Sequence, residues 1–265
     1  MNDKKVIAHP YVMQLIPARL FTVNRNYQRE AKTKLINTII SNFDYHLVNP
    51  VKAVKRDGFY YIWDGQQTAS ALYTKFGADY LVPALVYTDI DTSQEEARLL
   101  VDGNTGTGGG KKLTPNEVWD ALIWADDPTA VRINDIAKEY GFNMGSGKKA
   151  KKTCTISAVD AVQKVYKTLT EDQFKALLRI IRQAWNGDSD SVTANIIKGM
   201  ARFVRAYDGK YNEQNLIRRL SKHSPLEIVR NGRASFCKGD AKWAREILEI
   251  YNSGTSVNRL PDLFA

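Results

Sequence analysis

YYIWDGQQTASAL, Tyr60 to Leu72, is the stretch on which the fold turns. Aromatic and β-branched residues run to Asp64-Gly65 and read as a strand; small residues from Gln66 onward read as a helix. A strand that stops at glycine and opens a helix N-terminus aims backbone N–H groups at a space where an anion or phosphate can sit. One such turn is a weak signal, so its surroundings carry weight. Upstream, Asn26-Tyr27-Gln28-Arg29 precedes a helical pattern over 32–43, with Leu35, Ile36, Ile39, Ile40 and Phe43 on one face. Asn49-Pro50-Val51 then opens a strand to Lys55, and Arg56-Asp57-Gly58 turns it back into the strand that begins at Phe59. Downstream come the apolar run Val82 to Tyr87, an acidic helix start at Thr92 to Ala97, Asn104, and Leu113-Thr114-Pro115-Asn116-Glu117. There threonine supplies an N-cap, proline the first helical position and glutamate an acidic first turn.

This order, over about 120 residues, resembles the ParB/sulfiredoxin superfamily (the ParB-like nuclease domain). Its members carry an N-x-Q-x-R entry, a Pro-Val strand, a D-G-x-H-R or G-E-R-R turn, and an E-N-x-x-R segment ahead of an L-x-P-x-E helix. The whole chain looks like the phage and actinobacterial ParB-like proteins of unknown function, whose helical C-terminal region ends near a Tyr-Asn-x-Gly segment, here Tyr251 to Gly254. The resemblance implies a nucleoside triphosphate with Mg2+ as ligand. It implies Arg29, Gly65, Gln66, Gln67, Thr68, Asn104 and Thr105 as the nucleotide-binding set, with the Asn104 amide oxygen available to the metal.

The chain departs from the superfamily pattern at three places. Thr68 stands where the phosphate-neutralising arginine is found, and Gly103 replaces the glutamate before Asn104. Gln66 occupies the position of the ParB glutamate and of the sulfiredoxin catalytic cysteine, and glutamine is neither a general base nor a thiolate, so sulfiredoxin chemistry is excluded. The same Asp-Gly-Gln-Gln run, followed by Arg, occurs in a related group of restriction and anti-phage proteins. A metal-dependent nuclease or nucleotide triphosphatase of a phage or mobile element therefore stays open as an alternative, with Asp64 and Asn104 as its candidate catalytic residues. A third alternative is a protein-interaction module with an inactive pocket. The glycine-dense run Val101 to Lys112 does not fit a Walker A loop, because Thr105 and Lys112 stand at positions that require glycine and a hydroxyl.

Charge divides the chain. Residues 1–147 hold 16 Lys/Arg against 17 Asp/Glu, whereas 148–265 hold 22 against 12, a net of +10 in a chain whose total is +9. A basic excess confined to one half points to a polyanionic partner there, with DNA the first candidate. Lys148, Lys149, Lys151 and Lys152 form one basic cluster; Lys198, Arg202 and Arg205 recur at i, i+4, i+7; Arg218 and Arg219 add a shorter stripe. Ile133 to Phe142 resembles the first helix and turn of a helix-turn-helix, but the basic Asn143 to Thr153 follows where a recognition helix belongs.

Two cysteines without CxxC spacing and three scattered histidines provide no disulfide framework and no zinc signature. No apolar run reaches the roughly 18 residues of a membrane span, and no signal-peptide core follows the first residues, so a cytoplasmic protein without a membrane partner is expected. The reading is an α+β fold: a small ParB/sulfiredoxin-like mixed-sheet domain over 1–112, then a basic all-helical domain over 113–265 with a helix-turn-helix-like start. Its expected role is DNA binding gated by a nucleotide, in a chain free to form a homodimer.

Overall fold

Asp57 and Gly58 both adopt left-handed backbone, with φ of 50° and 80°, and such a pair matches the twist of the strands it joins. The hairpin they close is the centre of the first sheet. The computed structural model describes residues 10–105, 113–145, 154–254 and 259–264. In chain order the first unit contains β1 (Tyr11–Pro17), β2 (Phe21–Thr22), α1 (Thr33–Ser41), β3 (Val51–Arg56), β4 (Phe59–Asp64), α2 (Gln66–Phe76), β5 (Leu81–Tyr87), α3 (Ser93–Thr105) and α4 (Pro115–Trp124). The five strands lie in the order β1-β5-β3-β4-β2. Pairing of β1 with β5 and β3 with β4 is antiparallel, and pairing of β3 with β5 and β2 with β4 is parallel. Alternating inward residues explain the core: Ile16, Val51, Ala53, Ile62, Val82, Ala84 and Val86 are buried together with Leu72 of α2.

Two compact units divide the chain, 1–127 and 128–265. The boundary thus falls after α4, later than the glycine-dense stretch at which the sequence reading placed it. The reason is apolar packing: Ala97, Leu100 and Val101 of α3 form a core cluster with Ala121 of α4 and Ala125, joined by Val118, Leu122 and Trp124. A helix whose apolar face is covered by the sheet unit's own helix belongs to that unit.

The second unit contains α5 (Pro128–Glu139), β6 (Asn143–Met144), β7 (Thr155–Ile156), α6 (Val159–Tyr166), α7 (Glu171–Trp185), α8 (Ala194–Ala206), α9 (Glu213–Leu220), α10 (Pro225–Ala234) and α11 (Ala241–Asn252). Two amphipathic helices, α7 and α8, form its centre. Phe174, Leu177, Leu178 and Ile181 of α7 and Ile196, Ile197, Met200 and Phe203 of α8 are all buried. Thr170 opens α7 with a reciprocal capping box to Gln173. One feature departs from the all-helical expectation: β6 and β7 pair in a two-residue parallel ladder. After α5 the chain therefore enters a strand, not a recognition helix. The fold is α+β, and among the described residues no helix is long and apolar enough to cross a membrane.

Candidate functional site

Gly65 is where strand becomes helix. Its φ of 92° lies in the left-handed region, and a Cβ there would stand 3.2 Å from the Val51 Cα, so the position admits glycine alone without strain. As N-cap of α2 it contributes no side-chain cap, which leaves the first amides of α2 without acceptors inside the helix. Around this N-terminus lies a pocket of about 200 Å3 lined by Gln28, Arg29, Trp63, Asp64, Gly65, Gln66, Gln67, Leu100, Asn104 and Leu113. A larger cavity of about 500 Å3 shares Gln66 but is lined otherwise by residues such as Arg19, Arg25, Ser70 and Tyr73. The smaller pocket is the one that gathers the residues singled out in the sequence.

Of those residues, Arg29, Gly65, Gln66, Gln67 and Asn104 line the pocket, as does Asp64. Thr68, on the first turn of α2, is not among the lining residues, and Thr105 closes α3. Lys111 and Lys112 lie outside the described residues, as do Lys148, Lys149, Lys151 and Lys152.

Three successive side chains pin the Tyr27-Gln28-Arg29 segment against this pocket. The Tyr27 hydroxyl donates to Glu96 Oε2 at 2.5 Å, the Gln28 amide donates to the Ile62 carbonyl, and Arg29 Nη1 donates to Glu117 Oε2 at 2.9 Å. Glu96 has a fully buried side chain whose Oε1 lies 2.8 Å from Arg56 Nη2. Burial raises the Glu96 carboxyl above its ordinary value despite the pull of Tyr27 and Arg56. Burial by itself would raise Glu117 too, but hydrogen bonds from Thr114 and Arg29 prevail and hold it below the usual carboxylate range. Glu117 is also half of the α4 capping box with Thr114, so Arg29 ties the pocket to the start of α4.

The remaining pocket groups are partly engaged. Asp64 pairs with Lys52 at 3.1 Å, and the Lys52 ammonium lies 4.9 Å from the centre of the Trp63 ring. Asn104 Nδ2 donates to the Leu100 carbonyl at 2.7 Å, which fixes the amide and leaves its oxygen as the open acceptor. The Trp63 indole N–H is buried and has no acceptor among the described residues. Sequence reasoning missed Trp63, Leu100, Leu113 and the Lys52 pairing. Gln28 was visible within its motif but carried no signal of burial. Among the described residues no group of three or more His, Cys, Asp or Glu comes together to hold a metal.

On the second unit, Arg202 and Arg205 of α8 are exposed and form no ion pair among the described residues. Lys198 stands 3.9 Å from Asp240, an acidic neighbour from another element that the local sequence did not reveal. Arg218 is exposed and donates to Asn215 at 3.1 Å. Arg219 differs from the sequence expectation. Its guanidinium donates to the Tyr251 and Ser253 carbonyls and lies over the Tyr251 ring, so it caps α11 and is not a free cation. The Tyr251-Asn252 pair is structural as well: the Asn252 side chain bonds both the carbonyl and the N–H of Leu260 at 2.9 Å.

The chain belongs to a family of unknown function (DUF6551), whose model matches residues 23–264. No curated protein matches it.

Proposed function

We propose that this is a ParB-like, cytoplasmic DNA-binding protein of a phage or prophage. In this reading a nucleoside triphosphate with Mg2+ occupies the pocket around Gly65 and alters the protein's hold on DNA. The observation that carries the reading is convergence: Arg29, Gly65 to Gln67 and Asn104, far apart in sequence, line one pocket at a helix N-terminus. The α2 amides and the Arg29 guanidinium are donors suited to phosphate oxygens. Asn104 Oδ1 faces the metal that travels with the triphosphate. Binding is favoured over turnover because the one carboxylate in the lining, Asp64, is paired with Lys52, and Gln66 moves no proton.

Gating follows from Arg29. A phosphate competes with Glu117 for its guanidinium, and Glu117 is held within the α4 capping box, so ligand binding changes the start of α4.

Calorimetric titration of the full chain with CTP, ATP and GTP, with and without Mg2+, tests the pocket. The expected result is a Kd in the roughly micromolar range for at least one nucleotide. Binding should fall about tenfold or more in Arg29→Ala, which removes a charge-assisted contact, and in Gly65→Ala. Thermal melting identifies variants that stay folded. No heat with any nucleotide, or undiminished binding by folded variants, overturns the pocket; release of inorganic phosphate would instead establish the triphosphatase reading.

A further inference from the structure

The basic stripe on α8 is one wall of a cavity. About 220 Å3 in volume, it is lined by Lys164, Val165 and Thr168 from α6 and the residues just after it, by Lys198, Ala201, Arg202 and Arg205 of α8, and by Asp240 before α11. Four cationic side chains thus share one cleft with a single carboxylate. We propose that this cleft seats the phosphodiester backbone of duplex DNA, with Lys164 as a cation the α8 stripe does not supply. Asp240 acts as a resident competitor that engages Lys198 until phosphate displaces it. The inference rests on the reading that the second unit binds DNA, and it assigns that binding to a place.

Charge is the first argument. Arg202 and Arg205 lack ion-pair partners among the described residues, and the Lys164 pair with Asp160, at 3.7 Å, is an exposed contact within one helix turn that holds the ammonium weakly. Like charges crowded in a cleft repel until a counter-charge enters. The second argument is openness: the Lys164 side chain is 71% exposed, and a small free anion gains little at such cations in salt. A polymer gains by releasing its condensed counterions. Third is dimension. From Lys198 to Arg205 the helix rises about 10 Å, which spans roughly three phosphates of one strand at about 3.4 Å of axis each. Finally, among the described residues no aromatic side chain lines the cleft, and Phe264, whose ring centre lies 5.9 Å from the Arg202 guanidinium, is buried, so the cleft lacks an exposed stacking platform on which unpaired bases are held. The Thr168 hydroxyl donates to the Val165 carbonyl at 2.9 Å and shapes the wall only.

Fluorescence anisotropy with a labelled DNA duplex across a salt series tests this, using the full chain, Lys164→Ala, the double variant Arg202→Ala/Arg205→Ala, and Asp240→Asn. Asp240 makes no side-chain cap bond to α11 and asparagine is nearly isosteric with it, so the last variant keeps the fold while removing the competing charge. The double variant should bind about tenfold or more weakly and lose about two units of the slope of log K against log salt; Lys164→Ala should lose about one. Asp240→Asn should bind about threefold more tightly. Wild-type affinity and slope in the folded cation variants would overturn the cleft while leaving DNA binding intact. Absence of salt-dependent binding by the wild-type chain would overturn the DNA reading itself. Tighter binding of RNA or single-stranded DNA than of duplex would overturn the assignment to duplex backbone.

Discussion

At Arg29 the pocket and the α3–α4 layer meet through one guanidinium, and that connection was not legible in the sequence. Gly65 was legible, because a strand-ending Asp-Gly before small residues has few structural solutions. Thr68 was legible only as a departure from a pattern, and it is not among the residues that line the pocket. Lys52 with Asp64 escaped because a bulge shifts the β3–β4 register between Lys52 and Ala53, and Arg219 with the end of α11 escaped because that partner is fixed by tertiary packing and not by spacing. Electrostatics at single residues also gives a pH prediction. Glu171 receives Arg132 Nε at 2.9 Å and Lys175 at 2.9 Å, and these hydrogen bonds pull its carboxyl from an ordinary 4.5 down to about 2. A lowered folded-state value means the stabilisation is present above about 4.5 and is lost as pH falls towards 2. The urea midpoint of the wild-type chain should therefore fall more steeply than that of Glu171→Gln across that acid window. Parallel curves would show that the Arg132–Glu171–Lys175 cluster makes no net contribution.

Elements were read best where period and punctuation agree. The Asp57-Gly58 hairpin and the Thr114-Pro115 helix start satisfy both. The β6–β7 ladder has two residues per strand, too few for any period to register, and the first-unit boundary was hidden because a glycine-rich run lies inside a unit whose helices pack across it. Helix crossing is set by side-chain size: a Cβ on Gly199 of α8 would lie 2.6 Å from Trp243 Cβ, and one on Gly232 of α10 would lie 2.5 Å from Trp243 Cδ1. Trp243 of α11 thus packs against two glycine faces. Gly199→Ala should lower stability by about 1–3 kcal/mol through overpacking, although alanine in a helix interior is otherwise favoured by about 1 kcal/mol. Equilibrium denaturation measures this, and a neutral or stabilising outcome would mean that α8 and α11 separate at little cost.

For the molecule as a whole, charge carried information that motifs did not. The net of +10 over 148–265 lies within the second unit, while the pocket around Gly65 lies in the nearly neutral first. In the proposed reading, nucleotide recognition belongs to one unit and polyanion affinity to the other, and the first governs the second; this coupling is the central claim. Its consequence is a reciprocal change: nucleotide alters DNA affinity by the same factor as DNA alters nucleotide affinity. The most direct measurement is the anisotropy of a labelled duplex titrated with the full chain at fixed salt, with and without saturating nucleotide and Mg2+, repeated with Arg29→Ala. The account predicts a shift in DNA Kd of about fivefold or more that disappears in the variant. Identical DNA affinity with and without a nucleotide that calorimetry shows to be bound would contradict it.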